Sequence, residues 1–194
     1  MSVKIGVISL GCVKNSIDTE MMLASIPQEC EIVQRIEDAD IMIINTCAFI
    51  DPAKQESIDT ILDVAEYKKK GSLKYLIVTG CLPERYRSSL RELIPEVDCF
   101  AGIAAYKALP NILKDAVSDI TKDYYPEAEL ETGIVVPRLI TSPKPTAYIK
   151  IAEGCDNRCA YCAIPSIRGK FRSRTIEDIV AEAKELDALG VREL

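Results

Sequence analysis

The chain has 194 residues, 48% of them hydrophobic and 28% charged, which is enough apolar material for a buried core in one or two domains. A net charge of −6 and a pI near 4.9 give no basic footprint for nucleic acid. No apolar run approaches the roughly 20 residues of a membrane span, and the first six residues lack the features of a signal peptide.

These features read as a cytoplasmic protein, in which eight cysteines point to metal or redox chemistry rather than to disulfides. The first apolar run, Val3 to Leu10, is long enough for one strand and stops at Gly11-Cys12. Ser16 is placed to cap a helix with Asp18 and Glu20 in its first turn, where the helix dipole favours acids. Glu31–Ile36 and Ile41–Ile44 read as the second and third strands, the latter running into Asn45-Thr46-Cys47. Asp51-Pro52 opens a helix with Ile58, Ile61, Leu62 and Ala65 on one face, closed by Lys68-Lys69-Lys70-Gly71. The three lysines read as solvated charges at the helix C-terminus.

Tyr75–Thr79 is a fourth strand ending at Gly80-Cys81, followed by a helix carrying Tyr86, Leu90, Leu93 and Ile94. Cys99–Ala101 reads as a fifth strand, and a helix with Leu109, Ile112, Leu113, Ala116 and Val117 completes the set. Apolar strands alternating with helices predict an α/β fold: a mostly parallel five-stranded sheet with helices on both faces, over residues 1–120. Ligands gather at the carboxyl ends of such strands. Cys12, Cys47 and Cys81 each fall just past one of those ends, so they can meet although 35 and 34 residues separate them. Cys30 and Cys99 sit near strand beginnings and read as buried small hydrophobes.

Residues 121–146 change character, with prolines at 126, 137, 143 and 145 and several acids, and read as a linker with an edge strand around Gly133–Val136. Tyr124 and Tyr125 read as packing against their own domain. Ala147–Ala152 is expected to be the first strand of a second unit, 147–194. Arg168, Lys170, Arg172 and Arg174 then follow with no acid among them: either an anion-holding loop or a solvated one. Thr175 caps a last helix whose buried face is expected to be Ile176, Ile179, Val180, Ala183 and Leu186. Val191–Leu194 begins a further strand. One βα unit cannot close a barrel, so the chain reads as an N-terminal fragment.

The most informative stretch is Gly154 to Cys162, with Cys155, Cys159 and Cys162 in a C-x3-C-x2-C spacing directly after an apolar run. Three thiolates in one short loop can hold an iron–sulfur cubane and leave its fourth iron open. A zinc site or inert thiols are the alternatives; zinc would need a fourth ligand, and the chain has no histidine.

With Tyr161 before the last cysteine, the motif resembles the radical S-adenosylmethionine superfamily. Together with Gly11-Cys12-Val13-Lys14-Asn15, Asn45-Thr46-Cys47 and Gly80-Cys81 it resembles the methylthiotransferases of that superfamily, over essentially the whole chain. The resemblance implies the first βα unit of a radical S-adenosylmethionine (β/α) barrel after the sheet domain. It implies two [4Fe-4S] clusters, one on Cys12, Cys47 and Cys81 and one on Cys155, Cys159 and Cys162. It further implies S-adenosylmethionine, bound in part by Tyr161, and a reducing electron donor. Ile164–Gly169 (Ile-Pro-Ser-Ile-Arg-Gly) is similar to the ribosomal-protein branch, which implies methylthiolation of an aspartate β-carbon in ribosomal protein S12. The rivals are a transfer-RNA methylthiotransferase and a non-catalytic metal module. The fragment is expected to bind clusters but not to turn over.

Overall fold

In a computed structural model, described for residues 2–126, 137–142 and 145–194, the chain is organised on one parallel sheet. Its strands are β1 (Lys4–Ser9), β2 (Glu31–Val33), β3 (Ile41–Thr46), β4 (Tyr75–Gly80) and β5 (Cys99–Phe100), in the order β2-β1-β3-β4-β5. Every neighbouring pair is parallel, as the continuous apolar runs required. Alternation along β3 and β4 divides the core in two. Met42, Ile44, Leu76 and Val78 face α2 (Asp51–Lys69) through Ile61, Val64 and Ala65. Ile41, Ile43, Tyr75 and Ile77 face α5 (Ala105–Val117) through Leu109, Ile112 and Leu113, together with Met22 of α1 (Val13–Ala24). Helices on both faces leave only the strand ends open, and the chain reverses its direction of travel across the sheet between β1 and β3. That switch point is where open α/β sheets bind ligands.

Several local expectations change. Helix α1 starts right after Cys12, so Ser16, Asp18 and Glu20 lie inside it rather than at its cap. Ile50, not Asp51, occupies the N-cap of α2; the Asp51 carboxylate instead pairs with Lys54 at 2.7 Å. Lys68 is not merely solvated: it binds Asp98 and the Glu96 carbonyl, tying the end of α2 to the approach to β5. The single helix expected after Cys81 is two, α3 (Cys81–Tyr86) and α4 (Ser88–Leu93), broken at Arg87 with φ +38°. Arg87 stacks over the Tyr125 ring and pairs with Glu84 at 2.5 Å. Tyr124 extends the sheet by a bridge to Ala101, so the two tyrosines pack on their own unit.

The edge strand expected around Gly133–Val136 lies outside the described residues. Ala147–Ala152 does not form a strand along its length. Only β6 (Ala152–Glu153) pairs, antiparallel, with β7 (Arg172–Ser173), and Glu193 meets Thr146 in a single parallel bridge. An extended run becomes a strand only where a neighbour satisfies its backbone groups, and here that neighbour is short. The arginine loop contains a helical turn, α6 (Ile164–Arg168). Thr175 does cap α7 (Ile176–Ala188), accepting the Asp178 amide. The buried stripe of α7 is Asp178, Glu182 and Leu186, however, with Ile176 75% and Val180 44% exposed.

Candidate metal centre

Gly11-Cys12 leaves β1, Cys47 leaves β3 and Gly80-Cys81 leaves β4, so parallel topology delivers all three cysteines to one edge. Two glycines make the approach possible. Gly11 has φ +88°, and a Cβ there would lie 2.5 Å from the Cys47 Cβ and 2.9 Å from its Sγ. Gly80 has φ +98°, and a Cβ there would lie 2.3 Å from Asn45 Oδ1 and 2.5 Å from the Thr46 carbonyl. Both positions combine a left-handed backbone with close packing, which only glycine accepts. Behind the cysteines Asn15 is buried. Its amide donates to the carbonyls of Leu10 (3.0 Å) and Thr46 (2.9 Å), locking the turn after β1 to the end of β3.

Cys12, Cys47 and Cys81 line one cavity of about 600 Å³, and Cys155 lines it too. Its other walls are mostly apolar, with Phe49, Ile50, Ala53, Ile164 and Ile167, and its charges come from Lys14, Glu153 and Arg168. Burial pushes the Cys81 thiol up to about 11, against the pull of the Arg168 guanidinium. Cys159 is exposed and Cys162 half-buried, on a loop held by the Cys162 amide to the Cys159 carbonyl (3.0 Å) and the Phe171 amide to Asp156 (3.1 Å). Tyr161 projects into solvent, 89% exposed. Cys99 is buried in the core and pushed up to about 12, as expected of an inert thiol.

Among the described residues, no three Cys, Asp or Glu side chains close on a single metal ion. Sulfurs sharing one zinc would stand about 3.8 Å apart, whereas each thiolate of a cubane holds its own iron at a different corner. The residues fit that larger group. The donors are all sulfur, four of them line a space wider than one ion, and the Arg168 guanidinium beside Cys81 suits anionic sulfur.

The charged residues nearby bear out the anion-holding reading of the arginine loop for Arg168 and Arg174, with partners inside the chain itself. Arg168, only 5% exposed, donates Nη1 to Asp18 and Glu153, both at 2.9 Å, and Nη2 to Asn15 at 2.7 Å. Nη2 also reaches the Cys81 sulfur at 3.7 Å. Lys150 adds contacts of 2.6 Å to Asp18 and 3.2 Å to Glu153. Glu20 accepts from the amide and hydroxyl of Thr141 (2.8 and 3.0 Å) and faces Arg138, which in turn meets Glu182 at 3.0 Å. Asp18 and Glu20 are thus not helix-start acids. They are the buried anions through which α1 grips residues 138–168. The arginine loop is divided in function: Arg168 is buried in this network and Arg174 pairs with Glu182. Nothing in local sequence marks the partners of Asp18 and Glu20, because Thr141, Lys150 and Arg168 stand 121, 132 and 150 residues away.

Residues 4–102 match the family model described as "Uncharacterized protein family UPF0004", more than half of the chain. The chain belongs to that family. Residues 149–194 match a second model, "Radical SAM superfamily". The UPF0004 match takes in all five strands and Cys12, Cys47 and Cys81; the second match takes in Cys155, Cys159 and Cys162. The chain is similar to "Ribosomal protein uS12 methylthiotransferase RimO" of Clostridium perfringens (strain SM101 / Type A), 49% identical over 98% of this chain and 43% of that protein. Relatives of the same name come from Caldicellulosiruptor saccharolyticus, 49% identical over 99% of this chain and 44% of their length, and from Clostridium novyi (strain NT), 48% over 98% and 43%. The chain therefore spans less than half the length of these relatives.

Proposed function

We propose that this UPF0004 chain is the cluster-bearing part of a radical S-adenosylmethionine methylthiotransferase that modifies an aspartate of ribosomal protein S12. The observation that carries the reading is the shared cavity, lined by Cys12, Cys47 and Cys81 and by Cys155 of the second trio. In this reading Cys12, Cys47 and Cys81 hold one [4Fe-4S] cluster and Cys155, Cys159 and Cys162 the other, with Tyr161 beside S-adenosylmethionine. A reducing electron donor feeds the second site.

When bound, these groups supply the electron, the hydrogen-abstracting radical and the sulfur that an unactivated C–H bond requires, since such a bond offers no proton to a general base. The chain's own residues do the rest. Six cysteines ligate. Phe49, Ile50, Ala53, Ile164 and Ile167 give the shared cavity mostly apolar walls. Arg168 donates a hydrogen bond to the sulfur of Cys81, and Asn15 holds Arg168 in place by accepting from the same nitrogen. The network around Asp18 and Glu153 holds α1 against residues 150–168.

The test is anaerobic incubation of the full-length enzyme with S-adenosylmethionine, a strong reductant and either S12 or an adenosine-containing anticodon stem. The expected result is one methylthio group on a single aspartate of S12. Modification of the RNA alone would overturn the substrate, and no methylthio transfer to either would overturn the reaction.

A further inference from the structure

An aspartate brought into this cavity carries a charge into mostly apolar walls, and a buried carboxylate needs a cation beside it. Two cations line the cavity, Lys14 and Arg168. The terminal nitrogens of Arg168 are already engaged, Nη1 on Asp18 and Glu153 and Nη2 on Asn15 and the Cys81 sulfur. Lys14 differs. Its side chain is 43% exposed, and its ammonium donates to the Ala152 carbonyl at 2.9 Å and lies 3.6 Å from Glu153. An ammonium has three donors, so one remains for the cavity.

Glu153 does not depend on Lys14. Lys150 at 3.2 Å and Arg168 at 2.9 Å both stand closer to it. The ammonium can therefore leave Glu153 without stranding a buried charge. Glu153 in turn repels an incoming carboxylate unless a cation stands between them. Lys14 sits one position from Asn15 and two from Cys12, so it rides on the same turn that presents the first cysteine.

We infer that Lys14 is a specificity residue whose ammonium receives the carboxylate of the side chain to be modified. The inference rests on the proposed aspartate substrate and deepens it. The test uses the full-length, cluster-loaded enzyme, with S12-derived peptides carrying either aspartate or asparagine at the modified position. Affinity is measured by calorimetry, separately from turnover. Wild type should bind the aspartate peptide at least tenfold more tightly than the asparagine one. Lys14→Met should bind the aspartate peptide no more tightly than the asparagine one, and Lys14→Arg should restore most of the preference. In turnover, Lys14→Met should raise KM more than it lowers kcat, with iron content unchanged.

An aspartate preference that survives in Lys14→Met overturns the inference, even where wild type forms product and the proposed reaction stands. Conversely, a Lys14-dependent preference in an enzyme that forms no methylthio product keeps the inference and overturns the reaction. If Lys14→Met loses its iron, a shorter cationic variant with intact iron (Lys14→ornithine, by semisynthesis) decides by the same affinity ratio: a retained preference supports the role, a lost preference with intact iron overturns it.

Discussion

Replacing Arg168 with methionine keeps an unbranched apolar stem and removes the guanidinium from the buried network. Four groups lose a donor: Asp18, Glu153, Asn15 and the Cys81 sulfur. The carboxylates are not left bare. Asp18 keeps Lys150 at 2.6 Å, and Glu153 keeps Lys150 at 3.2 Å and Lys14 at 3.6 Å. Breaking a buried ion pair costs about 3–5 kcal/mol when it strands a charge, so with these partners remaining the loss should fall at the low end, about 3 kcal/mol. In a chain of this size that lowers Tm by roughly 6–12 °C. Urea unfolding of metal-free protein, followed by circular dichroism and tyrosine fluorescence, measures it. Arg168→Lys should recover part of the loss, returning the charge without the planar fork. A loss under about 1 kcal/mol, the scale of a surface pair, would refute the claim that this network holds α1 against residues 150–168.

Three further outcomes follow from the same geometry. Burial pushes the Glu153 carboxyl up, but the cations of Arg168, Lys150 and Lys14 outweigh it and hold the group below the usual range. Its stabilising contribution is therefore complete above the ordinary glutamate value of about 4.3 and is lost as pH falls through the lower folded value. The urea midpoint should drop more steeply on that acid limb in wild type than in Glu153→Gln, and equal slopes would contradict the assignment. Gly11→Ala should cost about 1–3 kcal/mol and lower iron retention, because its methyl meets Cys47. Gly71→Ala, with φ +78° and nothing within 4 Å, should cost stability alone and leave iron retention unchanged. Timed alkylation of metal-free protein, read by peptide mapping, should label exposed Cys12 and Cys159 first and Cys99 only on unfolding. Early labelling of Cys99 would contradict its place in the core.

The sheet was legible because a strand buried on both faces is written as an unbroken apolar run, as in Ile41-Met42-Ile43-Ile44. Parallel topology then fixes which end of each run shares an edge, so Cys12, Cys47 and Cys81 could be placed together from sequence and Cys99 set apart. The charged network was not legible. Asp18 and Glu20 obey the helix-dipole rule as well as they serve a buried ion pair, and their partners lie more than 100 residues downstream. The run Ala147–Ala152 misled for a different reason: β propensity predicts a strand only where a neighbour exists to pair with it. Helix α7 misled because the 3.6-residue period of Ile176 and Val180 is shared by Asp178, Glu182 and Leu186. The burial went to the acids, Glu182 being drawn inward by Arg138 and Arg174.

Two separate clusters on two cysteine trios are the centre of this account. Iron and acid-labile sulfide in the anaerobically reconstituted chain, measured beside Cys47→Ala and Cys159→Ala, test it most directly. We expect about eight irons and eight sulfides per chain in wild type and about four of each in either variant. An unchanged count in Cys47→Ala, or a single metal ion per trio, would contradict it.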